Sequence, residues 1–339
     1  MLSMPEKLRW GVLSTANIGL KKVLPAMQQG RFTTVTAIAS RNLEKAKESA
    51  AALNIPKAYG SYEELLADPD IEAIYNPLPN HLHVPWSIRA LEAGKHVLCE
   101  KPIAMTAAEA TTLRDAATRA GRMVGEAFMV RSHPQWHIVK RLLDEGRIGD
   151  LQLVHGHFSY GRRGASDVRS RVEWGGGVLL DIGCYPITIS RWMFGAEPVS
   201  AVSAIERDPD FGVDILTSGM LRFSAGHATF TVGGQMTAYQ RVGLYGERGR
   251  IDVEIPFTPS ATTRARVVVN GEALELDAVD QYTLQGDEFS RAIRGEGTVP
   301  SSIDNAIANM AVIDALFRSA ETGRWEALGG SKSTRTTPL

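Results

Sequence analysis

Short apolar runs alternate with amphipathic stretches along the first third of the chain. The runs have the length and composition of buried β-strands, and they cover residues 8–14, 33–39, 73–76, 96–99 and 122–127. Between them apolar residues recur at helical spacing, and the pairs Ser61/Glu64 and Thr106/Glu109 have the form of capping boxes at helix starts. Repeated strand–helix alternation predicts a parallel sheet with helices on both faces, which is a doubly wound α/β domain.

The pattern changes after about residue 128. Half-exposed strands separated by short turns are predicted over residues 151–160, 199–205, 214–223, 227–232, 241–245 and 264–269, and Asn270-Gly271 predicts a hairpin turn. Helices are predicted over 134–145, after the glycine run 175–177, and around Ile303–Phe317. We therefore expect the doubly wound domain in residues 1–127, an α+β domain with a large, mostly antiparallel sheet in 128–328, and a disordered tail in 329–339.

Composition narrows the classes of function. The 339 residues include 37 Lys and Arg against 38 Asp and Glu, so the net charge favours neither nucleic acid nor an anionic membrane as a partner. Two distant cysteines, Cys99 and Cys184, predict a reducing compartment rather than a disulfide framework. With no apolar run long enough for a signal peptide or a membrane span, we expect a cytoplasmic protein.

The turn after the first apolar run is a candidate phosphate-binding turn. A dinucleotide fold needs small residues where this strand meets the next helix, because the backbone approaches the pyrophosphate there. Gly11 and Gly19 are kept, whereas Ser14 and Ala16 stand where glycines are expected. An ordinary strand-to-helix turn remains the alternative interpretation. The candidate contacts to a cofactor in this turn are Ser14, Thr15, Ala16, Asn17 and Ile18.

The end of the second run suggests which dinucleotide the domain takes. An NAD site usually carries an acidic residue here for the ribose hydroxyls, and this chain has Ser40 and Arg41, followed by Lys45. A guanidinium at this position pairs with a 2′-phosphate and stacks on adenine. The sequence therefore predicts NADP, with NAD less favoured.

Three motifs carry a resemblance that covers residues 8 to about 325. They are Asn76-Pro77-Leu78-Pro79-Asn80-His81-Leu82-His83, Glu100-Lys101-Pro102, and the stretch from Gly175 to Pro186 that ends in Gly183-Cys184-Tyr185-Pro186. With them the chain resembles the Gfo/Idh/MocA oxidoreductase family, and within it the branch of NADP-dependent D-xylose dehydrogenases and dimeric dihydrodiol dehydrogenases. The resemblance implies an N-terminal Rossmann domain, a cis Lys101-Pro102 bond, and a homodimer or homotetramer assembled through the C-terminal sheet.

The proton chemistry has three candidate residues. Hydride transfer from a carbinol requires its hydroxyl proton to leave, and a lysine partly desolvated in a cleft has a lowered pKa. Asp181 and Tyr185, four residues apart, share one face of an α-helix. We predict that Tyr185 transfers the proton, that Lys101 lowers its pKa and that Asp181 orients the lysine or binds a substrate hydroxyl. Whether Lys101 or Tyr185 is the primary acid–base stays open.

The remaining site residues follow from the resemblance or from composition. The resemblance gives Asn80 and His83 a cofactor-side role, with Leu78 and Pro79 bordering the nicotinamide or its ribose. Glu100 and Lys101 are further predicted contacts to the cofactor. Donors and an apolar platform for a polyol predict five substrate-side candidates, namely Arg131, Tyr160, Arg171, Trp174 and Tyr282. No metal site is expected, because the histidine pairs lack further ligands.

The sequence thus predicts an NADP(H)-dependent oxidoreductase acting on a sugar or related polyol. Two alternatives remain. A basic loop containing Arg162-Arg163 and 169–171 suits a nucleotide-linked sugar as the substrate of a ketoreductase, although a solvated loop is the simpler interpretation. A non-catalytic NADP(H)-binding sensor also uses this fold, but it does not need the three proton-transfer candidates.

Overall fold

The computed structural model describes residues 6–162 and 164–328. A six-stranded parallel sheet forms its first part, with the strand order β3-β2-β1-β4-β5-β6. The strands are β1 (Leu8–Leu13), β2 (Thr33–Ala39), β3 (Lys57–Tyr59), β4 (Ala73–Asn76), β5 (His96–Glu100) and β6 (Val124–Ala127). This order reverses direction between β1 and β4, and doubly wound proteins bind ligands in the crevice at such a point. The predicted fold of this part is confirmed.

Helices connect these strands: α1 (Leu24–Gln28), α2 (Leu43–Ala52), α3 (Tyr62–Ala67), α4 (His83–Glu92) and α5 (Ala107–Ala120). The predicted caps are present, because the hydroxyls of Ser61 and Thr106 accept the backbone N–H of Glu64 and Glu109. The helical segment between β1 and β2 is divided. A π-helical turn, Gly19–Val23, precedes α1, and Pro25 lies in the first turn of α1, where its missing N–H costs little.

A nine-stranded sheet forms the second part, with the order β14-β13-β12-β11-β7-β10-β9-β8-β15. The strands are β7 (Leu151–Ser159), β8 (Ser200–Arg207), β9 (Asp214–Phe223), β10 (Gly226–Gly233), β11 (Tyr239–Gly246), β12 (Gly249–Val253), β13 (Ala265–Val269), β14 (Glu272–Leu276) and β15 (Glu326–Ala327). Only β7 and β10 pair in parallel, so the predicted mostly antiparallel sheet is confirmed. Residues Asn270 and Gly271, both with positive φ, turn β13 into β14 as predicted.

The helices of the second part are α6 (Pro134–Asp144), α7 (Cys184–Phe194), α8 (Gln281–Ile293) and α9 (Ile303–Thr322). A π-helical turn, Leu179–Gly183, leads into α7. Helix α7 is buried along almost its whole length, which suits a helix packed beneath the large sheet.

The chain after residue 280 packs against both parts. Helix α8, which was not predicted, lies on the first sheet, where Trp10 Nε1 donates to Ser290 Oγ at 3.1 Å. The Asp287 carboxylate accepts the backbone N–H groups of Arg31 and Phe32 at 2.8 and 2.9 Å. Helix α9 contacts both α5 and β8. The last strand of the first sheet, β6, ends at residue 127. Helices from the C-terminal stretch nevertheless connect the two sheets and fix the cleft between them.

Within the described residues no helix is long and apolar enough to cross a membrane. The two cysteines are free and buried. The predicted disordered tail, 329–339, lies outside the described residues.

Candidate active site

Lys101 follows the end of β5 and projects towards α7. Its bond to Pro102 is cis, as the resemblance implied. The Lys101 Nζ donates to the Asp181 backbone oxygen at 2.7 Å and to its Oδ1 at 3.0 Å. Two buried side chains hold the backbone beside it: a ring nitrogen of His83 lies 2.7 Å from the Pro102 oxygen, and Glu126 accepts the Ile103 N–H at 2.9 Å. The lysine is therefore placed by a fixed turn.

Asp181 lies between two cations. Its Oδ1 accepts from Lys101, while its Oδ2 accepts from Arg169 Nε at 2.6 Å. Burial opposes ionisation of this carboxyl, but Arg169 and Lys101 hold its pKa well below the usual range. Burial likewise opposes the charge on Lys101, yet Asp181 raises the pKa of the ammonium above its ordinary value. The prediction of a lowered lysine pKa is wrong, because the burial that lowers it is outweighed by a paired carboxylate.

The Tyr185 hydroxyl points away from the ammonium. It donates to Met129 Sδ at 3.6 Å, and the ring packs between Phe128, Phe158 and Phe257. Lys101 Nζ lies 5.3 Å from the centroid of the Tyr185 ring, which is a cation–π contact. Burial raises the pKa of this phenol well above its ordinary value. The prediction that Lys101 lowers the pKa of Tyr185 is therefore not met in this structure.

The cause is a local change of helix type. Asp181 belongs to the π-helical turn Leu179–Gly183, and Tyr185 belongs to the α-helix that follows. A π turn holds more residues than an α turn, so residues four apart across the junction no longer lie one above the other. The carboxylate thus faces the lysine nitrogen, whereas the phenol hydroxyl faces Met129.

Arg169 is the member of this cluster that spacing did not predict as a site residue. The glycine run accounts for its place: Gly177 N donates to the Arg169 backbone oxygen at 3.0 Å, and Gly176 N donates to the Arg171 backbone oxygen at 2.9 Å. A Cβ on Gly176 would lie 2.5 Å from the Arg169 oxygen. Glycine is required at position 176 because the backbone of the Arg169 loop leaves no space there for a side chain. The run itself was the available signal for a close backbone approach.

The candidate phosphate turn lies at the crevice between β1 and β4. Ser14 adopts φ 77°, a left-handed conformation that favours glycine, which explains why glycine was expected there. Its hydroxyl accepts the Ala16 N–H at 3.3 Å, and helical structure starts at Asn17, followed by Ile18. The first N–H groups of a helix lack intrahelical acceptors, so this turn, including Thr15, offers donors to an anion. The donor set fits a dinucleotide pyrophosphate.

The end of β2 presents cationic side chains beside that turn. Ser40 is buried and its hydroxyl accepts the Asn42 N–H at 3.3 Å. Arg41 and Lys45 are exposed, and neither forms a salt bridge among the residues that the structure describes. The guanidinium of Arg41 lies beside the Tyr62 hydroxyl, where it opposes the rise in pKa that burial gives this phenol. These groups fit a 2′-phosphate in charge and position.

The segment after β4 joins the two parts of the molecule. Asn80 Nδ2 donates to the Gly175 oxygen at 2.8 Å. His83 is buried, and its ring nitrogens lie 2.7 Å from the backbone oxygens of Leu78 and Pro102. Both ring nitrogens are thus occupied, and His83 fixes the backbone at Leu78 and Pro102. The Glu100 carboxylate accepts the Tyr75 hydroxyl at 2.7 Å.

Four of the five substrate-side candidates interact with side chains of the cleft or with each other. Burial and then the charge of Asp181 raise the pKa of Tyr160. Burial and then the charge of Glu100 raise the pKa of Tyr282. Trp174 stacks on His81 with centroids 5.7 Å apart, and the Arg171 guanidinium lies 4.6 Å from the Trp174 ring.

Arg131 is the exception. Its guanidinium lies 4.0 Å from the Trp192 ring, and its Nε donates to the Pro300 oxygen at 3.2 Å. Its position fits a structural role, because a half-buried planar cation here satisfies both a ring and a carbonyl.

Both parts of the chain match models of one oxidoreductase family. Residues 8–128 match the family model described as oxidoreductase family, NAD-binding Rossmann fold, and residues 136–252 match the GFO/IDH/MocA C-terminal domain. The chain belongs to the Gfo/Idh/MocA oxidoreductase family, as its motifs predicted.

Particular relatives lie in the predicted branch. The chain is 42% identical to an uncharacterised oxidoreductase of Rhizobium meliloti, over 95% of this chain and 100% of the relative. It is 35% identical to the NADP⁺-dependent D-xylose 1-dehydrogenase 2 of Haloferax volcanii, over 93% and 98%. It is 34% identical to the trans-1,2-dihydrobenzene-1,2-diol dehydrogenase of Mus musculus, over 79% of each chain.

A solved structure with the same architecture is a 3-ketoreductase from Actinomadura kijaniata in complex with NADP and TDP-benzene. The TM-score is 0.87 at 31% identity, covering 93% of this chain and 98% of that one.

Proposed function

We propose that this chain transfers a hydride between NADP(H) and a carbinol or carbonyl carbon of a sugar or related polyol. The observation that carries the proposal is the Lys101–Asp181 pair, fixed at the carboxyl end of β5 beside the crevice between β1 and β4. The NADP named for the Haloferax dehydrogenase and for the Actinomadura ketoreductase supports the choice of cofactor.

The cofactor would be held by two groups of residues. The turn from Ser14 to Ile18 would receive the pyrophosphate, and Ser40, Arg41 and Lys45 would receive the 2′-phosphate. When bound, the nicotinamide supplies or accepts the hydride. Leu78, Pro79 and Asn80 would line its site, and His83 would support that segment from behind by holding the Leu78 oxygen.

Lys101 is the group that we assign to the proton. Kept as an ammonium by Asp181, it donates a proton to the carbonyl oxygen as a ketone or lactone is reduced. In oxidation the same nitrogen must first lose its proton, so alkaline pH favours that direction. The Tyr185 ring, 5.3 Å from Lys101 Nζ, supports the ammonium. Its phenol, bonded to Met129, is the weaker candidate for proton transfer.

The charge of the substrate side favours an uncharged sugar. The three described arginines of the basic loop all have carboxylate partners: Arg162 with Asp210 at 3.5 Å, Arg169 with Asp181 at 2.6 Å, and Arg171 with Glu173 at 3.5 Å. Arg163 lies outside the described residues. A pyrophosphate would have to compete with these carboxylates, whereas a polyol accepts and donates hydrogen bonds among them.

A nucleotide-linked ketosugar is the second candidate. Its support is the likeness to the ketoreductase that was solved with TDP-benzene. Trp174, stacked on His81 and next to Arg171, offers a flat surface that suits a base as well as a sugar ring.

The test is absorbance of the reduced nicotinamide with NADP⁺ or NAD⁺ and a panel of free aldoses and polyols, and with NADPH and nucleotide-linked ketosugars. Turnover of a free sugar with NADP⁺ that Lys101→Ala abolishes supports the proposal. Turnover of nucleotide-linked sugars alone moves it to the second candidate. Tight NADPH binding without turnover of any substrate identifies a sensor.

We also propose that the exposed face of the nine-stranded sheet joins copies of this chain into a dimer or tetramer in the cytoplasm. This face carries Tyr239 and Tyr245, large side chains that are 52% and 36% exposed. Light scattering on the chain and on Tyr239→Glu checks the assembly, and a monomeric wild type would contradict it.

A further inference from the structure

We infer that Arg169 is a positioning residue that holds the Asp181 carboxylate towards Lys101 and opposes the positive charge of that lysine. The inference rests on the proposed function, in which Lys101 handles the proton. Arg169 acts through Asp181 and is not assigned a contact with substrate.

Four charged groups form an alternating chain. Lys101 Nζ lies 3.0 Å from Asp181 Oδ1, and Arg169 Nε lies 2.6 Å from the other oxygen of that carboxylate. Asp167 Oδ1 then accepts both the backbone N–H of Arg169, at 3.0 Å, and its Nη1, at 3.3 Å. The guanidinium is thus oriented from both ends, which is the geometry of a charge-assisted pair with a defined direction.

The loop that carries Arg169 is itself fixed. The backbone N–H of Gly177 holds the Arg169 oxygen, and no side chain fits at Gly176 because the same oxygen would lie 2.5 Å from its Cβ. The glycine run therefore places a cation against Asp181 as well as opening the helix that carries Asp181. A solvated arginine on a free loop would not require this close backbone contact.

Sharing one carboxylate between two cations changes the protonation equilibrium of Lys101. Without Arg169, Lys101 would be the only described cation paired with the Asp181 carboxylate, and the ammonium would hold its proton more strongly. Arg169 lowers the pKa of Lys101, against the rise caused by Asp181. The other titratable groups that face Lys101 are Glu100, Cys184, Tyr160, Tyr185, Tyr282, Glu126 and His83. Among them Tyr160 also interacts with Arg169, which lowers the pKa of that phenol, so the pKa of Tyr160 should rise when Arg169 is replaced.

The experiment measures kcat/KM for NADP⁺-linked oxidation of the active sugar against pH, with melting curves for each variant. In Arg169→Gln we expect the limb that rises with pH to move up by about one pH unit. Arg169→Lys keeps the charge and should stay close to the wild type. Asp167→Asn keeps the helix cap but removes a negative charge, so its limb should move slightly down. Arg264→Gln, a distant arginine with two carboxylate partners, is the matched control and should not shift.

The outcomes separate two failures. If Lys101→Ala retains the rising limb, the assignment of the proton to Lys101 in the proposed function fails, because another group then controls the proton. If Lys101→Ala is inactive but Arg169→Gln lowers kcat with an unshifted limb, Arg169 is merely structural and this inference is overturned. Opposite shifts in Arg169→Gln and Asp167→Asn support it. Should Arg169→Gln not fold, an unshifted limb in Asp167→Asn overturns it.

Discussion

Arginines stand at both ends of the cleft, but their partners differ. At the cofactor end, Arg41 and Lys45 are exposed and have no carboxylate partner among the described residues. At the substrate end, Arg169 and Arg171 each form a salt bridge. The first arrangement leaves positive charge for an incoming anion, whereas the second has already neutralised it.

The difference shows that the number of cations does not by itself define an anion site. The basic loop and the end of β2 look alike in sequence, and both suggested a phosphate. Their neighbours in space separate them, because a paired arginine offers a phosphate little net attraction. A dianion is therefore expected at one end and an uncharged polyol at the other.

The largest effect on activity is expected at Lys101, which lies between the cofactor end and the substrate end of the cleft. Lys101→Ala should lower kcat by about 1,000-fold, because general acid–base groups contribute about 10²- to 10⁴-fold. Tyr185→Phe keeps the ring beneath the ammonium and should stay within about 10-fold of the wild type. Steady-state kinetics of both variants with NADPH and the keto form measure this. Equal losses would return Tyr185 to the role of proton donor.

The second prediction concerns the glycine run 175–177, whose backbone holds the loop that carries the paired arginines of the substrate end. Gly177 has φ 106°, and a Cβ there would lie 1.8 Å from Asp214 Oδ1. Gly177→Ala should lower the free energy of unfolding by about 3 kcal/mol through clash and strain. Denaturant unfolding measures it, with Gly164→Ala, which has open space around it, as the control. Similar stabilities of the two variants would show that the loop is not seated on this run.

The selectivity for NADP⁺ over NAD⁺ tests whether the unpaired cations at the cofactor end bind the 2′-phosphate. Arg41→Ala should raise KM for NADP⁺ about 10- to 100-fold and leave KM for NAD⁺ within about 2-fold, because a charge-assisted pair contributes about 1.5–3 kcal/mol. Arg31→Ala, another exposed arginine of this domain, is the matched control. Equal changes for both cofactors would mean that Arg41 does not contact the 2′-phosphate.

A smaller effect is expected on the stability of the two parts of the molecule at acid pH. His96 in the first part and His133 in the second each accept a backbone N–H on Nδ1, at 3.0 and 3.2 Å, which requires the neutral ring. Burial lowers the pKa of each to about 4 from 6.5. The unfolded chain binds these protons below about pH 6.5, so the contribution is complete above that pH and is lost as pH falls towards 4.

We expect His133 to account for about 2 kcal/mol of the stability lost between pH 7 and pH 5. Urea unfolding at the two pH values checks this for the wild type and for His133→Asn, which keeps a capping acceptor. The variant should show the weaker pH dependence, whereas His227→Asn, on an exposed position of β10, should match the wild type. An unchanged dependence in His133→Asn would refute the assignment.

The sequence alone determined the local elements and the order in which they occur. Residues 33–39, 73–76 and 214–223 were predicted as strands, and they form β2, β4 and β9. Side-chain alternation and cap residues are local signals, so neighbours in sequence suffice to set them. Strand β3 was missed because it has three half-buried residues, and α8 because its buried face serves the other part of the molecule.

Tertiary structure alone decided the arrangement of the site. Lys101 and Asp181 are 80 residues apart, and no periodicity predicts their contact. The π turn before α7 separated Tyr185 from the carboxylate, and the glycine run brought Arg169 to it. Motifs identified which residue types handle the chemistry. Which cation pairs with which carboxylate, and hence the charge of each end of the cleft, depends on contacts across the fold that local sequence does not encode.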